Sequence, residues 1–360
     1  MDMQKQPRLS AIIFVILVMA MVPISCNLPQ VKQPQELVDT IHSAIRPKQP
    51  LDQRLLETLN RAQYETWIQQ LSGETPVTIA GQQTYIKSRY SYAVFLNYPE
   101  AQVMPYLVEQ ALQWVSPDQI EIDPYTYTDA ERSYTWQNLI VRLPGKSTPE
   151  KRILLTAHLD SIVVREGDAL SYAPGADDNA TGSAVLLEAL RLLADEPFDK
   201  TVEIIFFSGE EEGYQGSQAY LQDHDPEGIE AVINVDMIGY DSNNDGCMEI
   251  HAGTNLSSQD LAGQLLLTIQ QYQLALQPEV LTTDATDRSD HSSFWQQQIP
   301  AVEISENFFD NPSSGICTPS DGNPNYHRND DTLENMNGDY AFTIAKAVIL
   351  TVARLAGPQS

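Results

Sequence analysis

Basic residues and cysteines are scarce in this chain, and no apolar stretch is long enough for a comfortable membrane span. Lys and Arg total 21 against 49 Asp and Glu, and the 360 residues include three cysteines. The formal net charge of −28 argues against nucleic acid or an anionic membrane surface as a partner, because both would repel the chain. With 42% hydrophobic residues, the sequence still predicts a folded protein with a sizeable core.

The longest apolar run, Ala11–Ile24, follows Lys5 and Arg8. Its 14 residues suit the apolar segment of a signal peptide better than a transmembrane helix. A small residue and Cys26 come next, as at a bacterial lipoprotein cleavage site, although Pro23 stands where an aliphatic residue is usual. The alternatives are lipidation of Cys26, plain secretion and an uncleaved anchor.

Three segments are therefore predicted: a signal peptide or lipoprotein signal at 1–25, a tether at 26–50 rich in Pro, Gln and Lys, and a single domain at 51–357 with a helical N-terminal part. Without the first segment the chain has 19 basic and 48 acidic residues, a charge of −29. The expected location is secreted, periplasmic or membrane-tethered outside the cytoplasm. There, Cys247 and Cys317 could form a disulfide.

The hydrophobic pattern indicates an α/β fold. Helical periodicity marks 51–71 and 99–115. Strands are predicted at 138–143, 152–157, 201–207, 231–237, 247–252 and 301–304, and helices at 182–194, 217–221, 261–272 and 340–356. Strands that alternate with helices predict a mixed, largely parallel central sheet with helices on both faces, a three-layer sandwich. In such folds the carboxyl ends of the strands form the site.

Charged residues gather where the predicted strands end. His158 follows one strand, and Asp160 can accept a hydrogen bond from the imidazole nitrogen that does not bind a metal. Taken alone, such a pair is more often a structural ion pair. Asp177 and Asp178 precede a predicted helix, where capping would also explain them.

Further acids and a second histidine follow. Glu210, Glu211 and Glu212 lie at the tip of an apolar strand, where they repel one another unless a cation is bound. The alternative is a solvated acidic loop. Asp236 closes another apolar strand, where an unpaired carboxylate is costly to bury. His327 lies in an irregular stretch and predicts little by itself.

Taken together, these residues supply nitrogen and oxygen ligands at one edge of the predicted sheet. Such a mixture suits zinc, with cobalt or manganese as substitutes. One carboxylate can bridge two metal ions about 3.5–4 Å apart.

The order of these motifs resembles the co-catalytic dizinc aminopeptidases. That metallopeptidase family includes secreted bacterial leucine aminopeptidases and, more distantly, glutaminyl cyclases and glutamate carboxypeptidase. The resemblance covers roughly residues 130–350. It rests on His158-Leu-Asp160-Ser, the segment from Ala173 to Asn179, the segment from Glu210 to Ser217, Asn234-Val-Asp236-Met and the segment from His327 to Thr332.

The resemblance implies two zinc ions per chain. Asp178 would bridge them, His158 and Asp236 would complete one, and Glu211 and His327 the other. A calcium site is left open by the many acids but is not indicated.

The resemblance also implies catalytic roles. Glu210 would be the general base, Asp160 the partner of the first histidine ligand, and Tyr326 a donor to the oxyanion. Arg288 would help to hold the substrate. Some relatives carry a disulfide-bridged tyrosine loop before the Ser-Asp-His triplet, whereas this chain has Thr286-Asp287-Arg288 there.

The resulting expectation is a monomeric aminopeptidase that acts on peptides with a free N-terminus. Three alternatives remain: a glutaminyl-cyclase-like acyltransferase, a carboxypeptidase-type hydrolase, and a non-catalytic binding domain on the same fold. The preferred N-terminal residue is not predicted.

Overall fold

The alternation of apolar strands and amphipathic helices produces an eight-stranded mixed sheet. The computed structural model describes residues 50–164, 167–309, 316–317 and 319–357. The predicted signal at 1–25 and, apart from Pro50, the predicted tether at 26–50 lie outside these residues. Among the described helices, none combines the length and apolar character that a bilayer span requires.

The large sheet has the strand order β3-β4-β6-β5-β7-β10-β8-β9. Its strands are β3 (Ile120–Thr128), β4 (Ser133–Leu143), β5 (Thr148–His158), β6 (Lys200–Phe207), β7 (Ile229–Val235), β8 (Cys247–His251), β9 (Gln277–Leu281) and β10 (Ala301–Glu306). A short antiparallel hairpin, β1 (Val77–Ile79) and β2 (Gln82–Thr84), is separate. Strands β6, β5, β7 and β10 are mutually parallel at the centre. The predicted mixed, largely parallel sheet is confirmed.

Helices cover both faces of this sheet. They are α1 (Leu51–Thr58), α2 (Arg61–Leu71), α3 (Ser91–Phe95), α4 (Val103–Ala111), α5 (Thr181–Leu193), α6 (Gln215–Asp223), α7 (Leu256–Gln271), α8 (His291–Gln296) and α9 (Gly338–Ala356). Because side chains alternate along a strand, Leu139 and Val141 join one core with α5 and α9, while Ile140 joins a second with Phe294.

Several predictions differ from the observed elements; strand β4, for example, begins at Ser133 and not at residue 138. The helix predicted over 51–71 is two helices, because the side chain of Asn60 accepts a hydrogen bond from the amide of Gln63 and starts a new helix. Strands β3 and β9 were not predicted. Pro124 and Pro278 interrupt their patterns, and both strands lie at the sheet edges, where a missing amide donor is tolerated.

Cys247 and Cys317 form a disulfide with a Cα–Cα distance of 5.5 Å. The bond ties the start of β8 to the chain beyond β10. The pairing that the sequence left open is therefore made in the structure.

Candidate metal centre

Three parallel strands deliver the predicted site residues to one edge of the sheet. Strand β5 ends on His158, and Asp236 directly follows β7. Strand β6 ends at Phe207, and its continuation carries Glu210 and Glu211. Because adjacent parallel strands end at the same edge, these four side chains meet.

Asp178 comes from the turn Ala176–Ala180 that leads into α5. The carboxylate of Asp331 accepts hydrogen bonds from the amides of Asp177 (2.8 Å) and Asp178 (3.0 Å). The peptide bond between Asp178 and Asn179 is cis. This turn projects the Asp178 carboxylate towards the strand ends.

On one side of Asp178 lies the first histidine. Nε2 of His158 is 3.2 Å from Oδ1 of Asp178 and 3.1 Å from Oδ1 of Asp236. Nδ1 of the same ring lies 3.2 Å from the backbone carbonyl of Asp160. If Nδ1–H donates to that carbonyl, Nε2 presents a lone pair to two carboxylates. This arrangement needs a proton or a metal cation among the three groups.

The second histidine lies on the other side of the same carboxylate. Nε2 of His327 is 3.2 Å from Oδ2 of Asp178 and 3.0 Å from Oε2 of Glu211. The two oxygens of Asp178 therefore face two different histidine-acid groups. In each group, ligand atoms lie within 4.8 Å of one another.

The electrostatics of the metal-free site follow from burial and close opposite charges. Burial alone would lower the pKa of His158, but Asp236, Asp160 and Asp178 raise it well above its usual range. His327 is affected in the same way. Burial lowers its pKa, but Asp178 and Glu211 outweigh this effect and raise the pKa to about 10. Burial raises the pKa of Glu211 to about 7. Without a metal ion, these groups therefore favour their protonated forms.

The spacing of these atoms fits zinc. Ligands at about 2.0–2.1 Å in a tetrahedral arrangement lie about 3.3 Å from one another. The four histidine-carboxylate distances here are 3.0 to 3.2 Å. The donor set, imidazole nitrogen with carboxylate oxygen, is also one that zinc prefers. The residues present therefore fit zinc.

Asp160 is fully buried behind His158, and its carboxylate contacts the turn after β6 as well as the histidine. The closest carboxylate oxygen is 3.7 Å from Nδ1 of His158, farther than the backbone carbonyl. The carboxylate accepts hydrogen bonds from the amides of Glu210 (3.3 Å) and Glu211 (3.4 Å). It therefore also orients the turn that carries both glutamates. Burial raises the pKa of Glu210 well above its usual range.

Tyr326 and Arg288 line the pocket that opens onto these acids. The ring of Tyr326 stacks on His327 at a centroid distance of 3.7 Å. Burial raises the pKa of Tyr326, so that its hydroxyl keeps its proton. The Arg288 guanidinium is exposed and lies 5.9 Å from the centre of the Phe309 ring.

Several residues that support the site were not predicted individually. Asp331 holds the Asp178 turn, and Ser289 donates to Oδ2 of Asp236 at 2.6 Å. The fully buried Arg89 donates to the backbone carbonyls of Leu71, Leu159, Pro174 and Gly175. Asp331 lies inside a segment that carried the resemblance and Ser289 directly follows Arg288, whereas nothing in the local sequence marks Arg89.

Comparison with known proteins gives the same fold and family. A probable leucine aminopeptidase of Trichophyton verrucosum is 32% identical over 227 residues, which are 61% of this chain and 57% of that protein. The structure of a zinc aminopeptidase from Bacillus subtilis matches with a TM-score of 0.51 and 23% identity, covering 62% of this chain and 51% of that one. The glutaminyl cyclase of Porphyromonas gingivalis matches with a TM-score of 0.59 and 16% identity, covering 82% and 99%.

The sheet order and its strand-end cluster define an α/β protein of the class seen in those structures. The model of peptidase family M28 matches residues 138–352, and the chain belongs to that family. The chain spans little more than half of the length of the curated relatives it matches.

Proposed function

We propose that this protein is a zinc-dependent aminopeptidase that removes N-terminal residues from peptides at two zinc ions. The observation that carries the proposal is the position of Asp178, with each carboxylate oxygen 3.2 Å from the Nε2 atom of a different histidine. Membership of peptidase family M28 and the names of the curated relatives support a peptidase that acts at the N-terminus.

In this proposal, Asp178 would be shared by the two zinc ions, with His158 and Asp236 completing one site and Glu211 and His327 the other. The zinc of the B. subtilis enzyme supports the choice of metal. Cobalt or manganese could substitute. When bound, zinc supplies a Lewis acid for the scissile carbonyl and lowers the pKa of the attacking water.

Glu210 acts as the general base. It takes a proton from the attacking water and delivers it to the leaving amine. The amides of Glu210 and Glu211 are both held by Asp160, so the base and the adjacent ligand keep a fixed relation.

Tyr326 donates a hydrogen bond from its hydroxyl group to the developing oxyanion. Its ring stacks on His327 and lines the same pocket as the acids of the metal centre, which supports this role. Arg288 helps to hold the substrate from the mouth of the pocket. The free amine of the substrate lies near Asp236 and Glu210, whose negative charge selects an N-terminus.

The test is a panel of aminoacyl amides assayed with zinc, with a chelator and after zinc is restored. We expect hydrolysis that the chelator abolishes and zinc recovers. A peptide with N-terminal glutamine is included, because cyclisation of that peptide without hydrolysis of any amide would favour a glutaminyl-cyclase-like acyltransferase. Cleavage only from the C-terminus would favour a carboxypeptidase, and binding without turnover a receptor domain.

We further propose that the protein acts outside the cytoplasm, as a monomer. The disulfide between Cys247 and Cys317 supports this location, because such bonds persist in oxidising compartments. Expression of the full chain in a bacterial host, followed by cell fractionation and labelling with a radioactive fatty acid, would separate plain secretion from lipidation of Cys26.

A further inference from the structure

The pocket beside the candidate metal centre has an apolar wall and a polar floor. Its residues beyond the metal-site acids and His327 are Met237, Arg288, Glu303, Ser305, Phe308, Phe309 and Tyr326. Phe308 and Phe309 are half-buried, whereas Glu303 is 3% and Ser305 2% exposed. A substrate side chain that enters beside the two phenylalanine rings would therefore reach the buried carboxyl group of Glu303.

Glu303 faces a buried histidine that gives it no hydrogen bond. Its Oε2 lies 3.1 Å from Nδ1 of His291, and Nε2 of that ring lies 3.0 Å from the carbonyl oxygen of Thr286. Because Nε2–H donates to that carbonyl, Nδ1 of the neutral ring carries no proton, and Oε2 of Glu303 has no hydrogen-bond partner among the described residues. A cation bound in the pocket would give this buried carboxyl group the partner it lacks.

Ser305, the second floor residue, contacts another buried histidine, His251. The amide of Thr286 donates to Nδ1 of His251 at 3.1 Å, so the proton of that ring is on Nε2. Nε2 lies 3.2 Å from the hydroxyl oxygen of Ser305. The polar floor is therefore built by the fold and does not depend on one flexible side chain.

We propose that Glu303 is a specificity-determining residue and that the pocket selects N-terminal lysine and arginine over leucine. The inference rests on the proposed aminopeptidase function. The long aliphatic stems of these residues would pack on Met237 and the phenylalanine rings, and their charged ends would reach the carboxyl group of Glu303. A leucine would instead cover the carboxyl group without giving it a partner, which is unfavourable.

The charges around the pocket favour a cation over an anion. Two zinc ions would balance the four acids of the metal centre, Asp178, Glu210, Glu211 and Asp236, but not Glu303. Burial raises the pKa of Glu303 well above its usual range, and a cation bound beside it would favour its ionised form. The one arginine of the pocket, Arg288, is exposed at the mouth, where water and salt weaken its effect. The overall charge of −28 also favours the approach of cationic peptides.

The experiment compares the zinc-loaded protein with Glu303→Gln and Glu303→Leu on coumarin amides of lysine, arginine, leucine and glutamate. We expect the unmodified protein to have a kcat/KM for lysine at least about tenfold above that for leucine. Glu303→Leu should lower the lysine-to-leucine ratio by about 100-fold, and Glu303→Gln by less. General damage to the site would lower both rates together and leave the ratio unchanged.

Glu150→Gln is the matched control. Glu150 is exposed near the start of β5, at the opposite end of that strand from His158, and its loss should not change the ratio. A preference of the unmodified protein for leucine or glutamate, or a ratio that Glu303→Leu leaves intact, would overturn the inference.

Calorimetric titration with the free amino acids makes the test independent of turnover. The zinc-loaded protein should bind L-lysine more tightly than L-leucine, and Glu303→Leu should remove the difference. If no amide is hydrolysed but lysine is still preferred, the proposed function fails and the pocket assignment stands. Equal binding of both amino acids would contradict the pocket assignment whatever the outcome with the amides.

Discussion

At the scale of single residues, Glu210 is the position where a substitution should lower the catalytic rate without removing the metal ions. It lies beside the candidate zinc ligands, yet the two histidine-acid groups around Asp178 are complete without it. We predict that Glu210→Gln keeps two zinc ions per chain and lowers kcat by about 10²–10⁴-fold. Zinc content by mass spectrometry and steady-state kinetics on one preparation check this.

Glu212 offers a matched control for that variant. Burial raises the pKa of Glu212 to about 9, so it is already neutral at pH 7 and a glutamine preserves both shape and charge. Glu212→Gln should retain nearly full activity. Near-normal turnover in Glu210→Gln would remove the assignment of the base.

Asp331 acts on the bridging carboxylate through the backbone. It accepts the amides of Asp177 and Asp178 and so fixes the turn that presents Asp178. We predict that Asp331→Ala weakens zinc binding by about 10–100-fold, measured by competition with a chelator. The exposed neighbour Asp330 is the control, and an Asp331→Ala variant that binds zinc as tightly as Asp330→Ala would refute this role.

Among the candidate ligands, the acids could be predicted from local sequence, whereas His158 and His327 could be predicted only from the order of all the motifs along the chain. An acid that closes an apolar strand, or three adjacent acids at a strand tip, are unfavourable unless a cation lies nearby. Glu303 gives no such signal, since its importance depends on a pocket whose walls come from distant segments. The contact between Asp331 and the amide of Asp178 likewise spans 153 residues and exists only after folding.

At the scale of elements, Arg89 joins the N-terminal helices to the loops of the site. It is buried and donates to four backbone carbonyls, those of Leu71 at the end of α2, Leu159 after β5, and Pro174 and Gly175 before the Asp178 turn. The helical N-terminal part is therefore integrated with the metal centre.

We predict that Arg89→Met lowers the free energy of unfolding by about 3–5 kcal/mol, because several buried carbonyls lose their donor at once. Urea unfolding followed by circular dichroism measures this. Arg132→Met, at an exposed position, should cost less than about 0.5 kcal/mol. Similar stability of the two variants would show that the Arg89 contacts contribute little.

The parallel centre of the sheet could be predicted because its strands are continuous apolar runs followed by amphipathic helices. The edge strands β3 and β9 could not be predicted in this way. Their stability depends on pairing with a neighbour, as β3 pairs with β4 and β9 with β8, and not on their own pattern. The break between α1 and α2 depends on one capping side chain, Asn60, inside a run that otherwise keeps helical periodicity.

At the scale of the whole molecule, metal-free and zinc-loaded protein should respond oppositely to pH. In the folded metal-free protein, the pKa of Glu211 is raised to about 7 and that of His327 to about 10. Because both are above the values in the unfolded chain, about 4.3 and 6.5, their stabilising contributions are lost as the pH rises through these folded pKa values.

Zinc requires the deprotonated forms of the same groups, so its stabilising effect grows as the pH rises. We predict that the difference in Tm between zinc-loaded and metal-free protein increases from pH 5 to pH 9, measured by calorimetry. A difference that is constant or shrinks over this range would show that the histidine-acid cluster does not hold the metal.

The central claim is that Asp178 bridges two zinc ions. The most direct measurement is an anomalous difference map of a crystal of the zinc-loaded protein, collected on both sides of the zinc edge. The account predicts two peaks about 3.5–4 Å apart, one beside His158 and Asp236 and the other beside Glu211 and His327. A single peak, or a second peak away from Asp178, would contradict it.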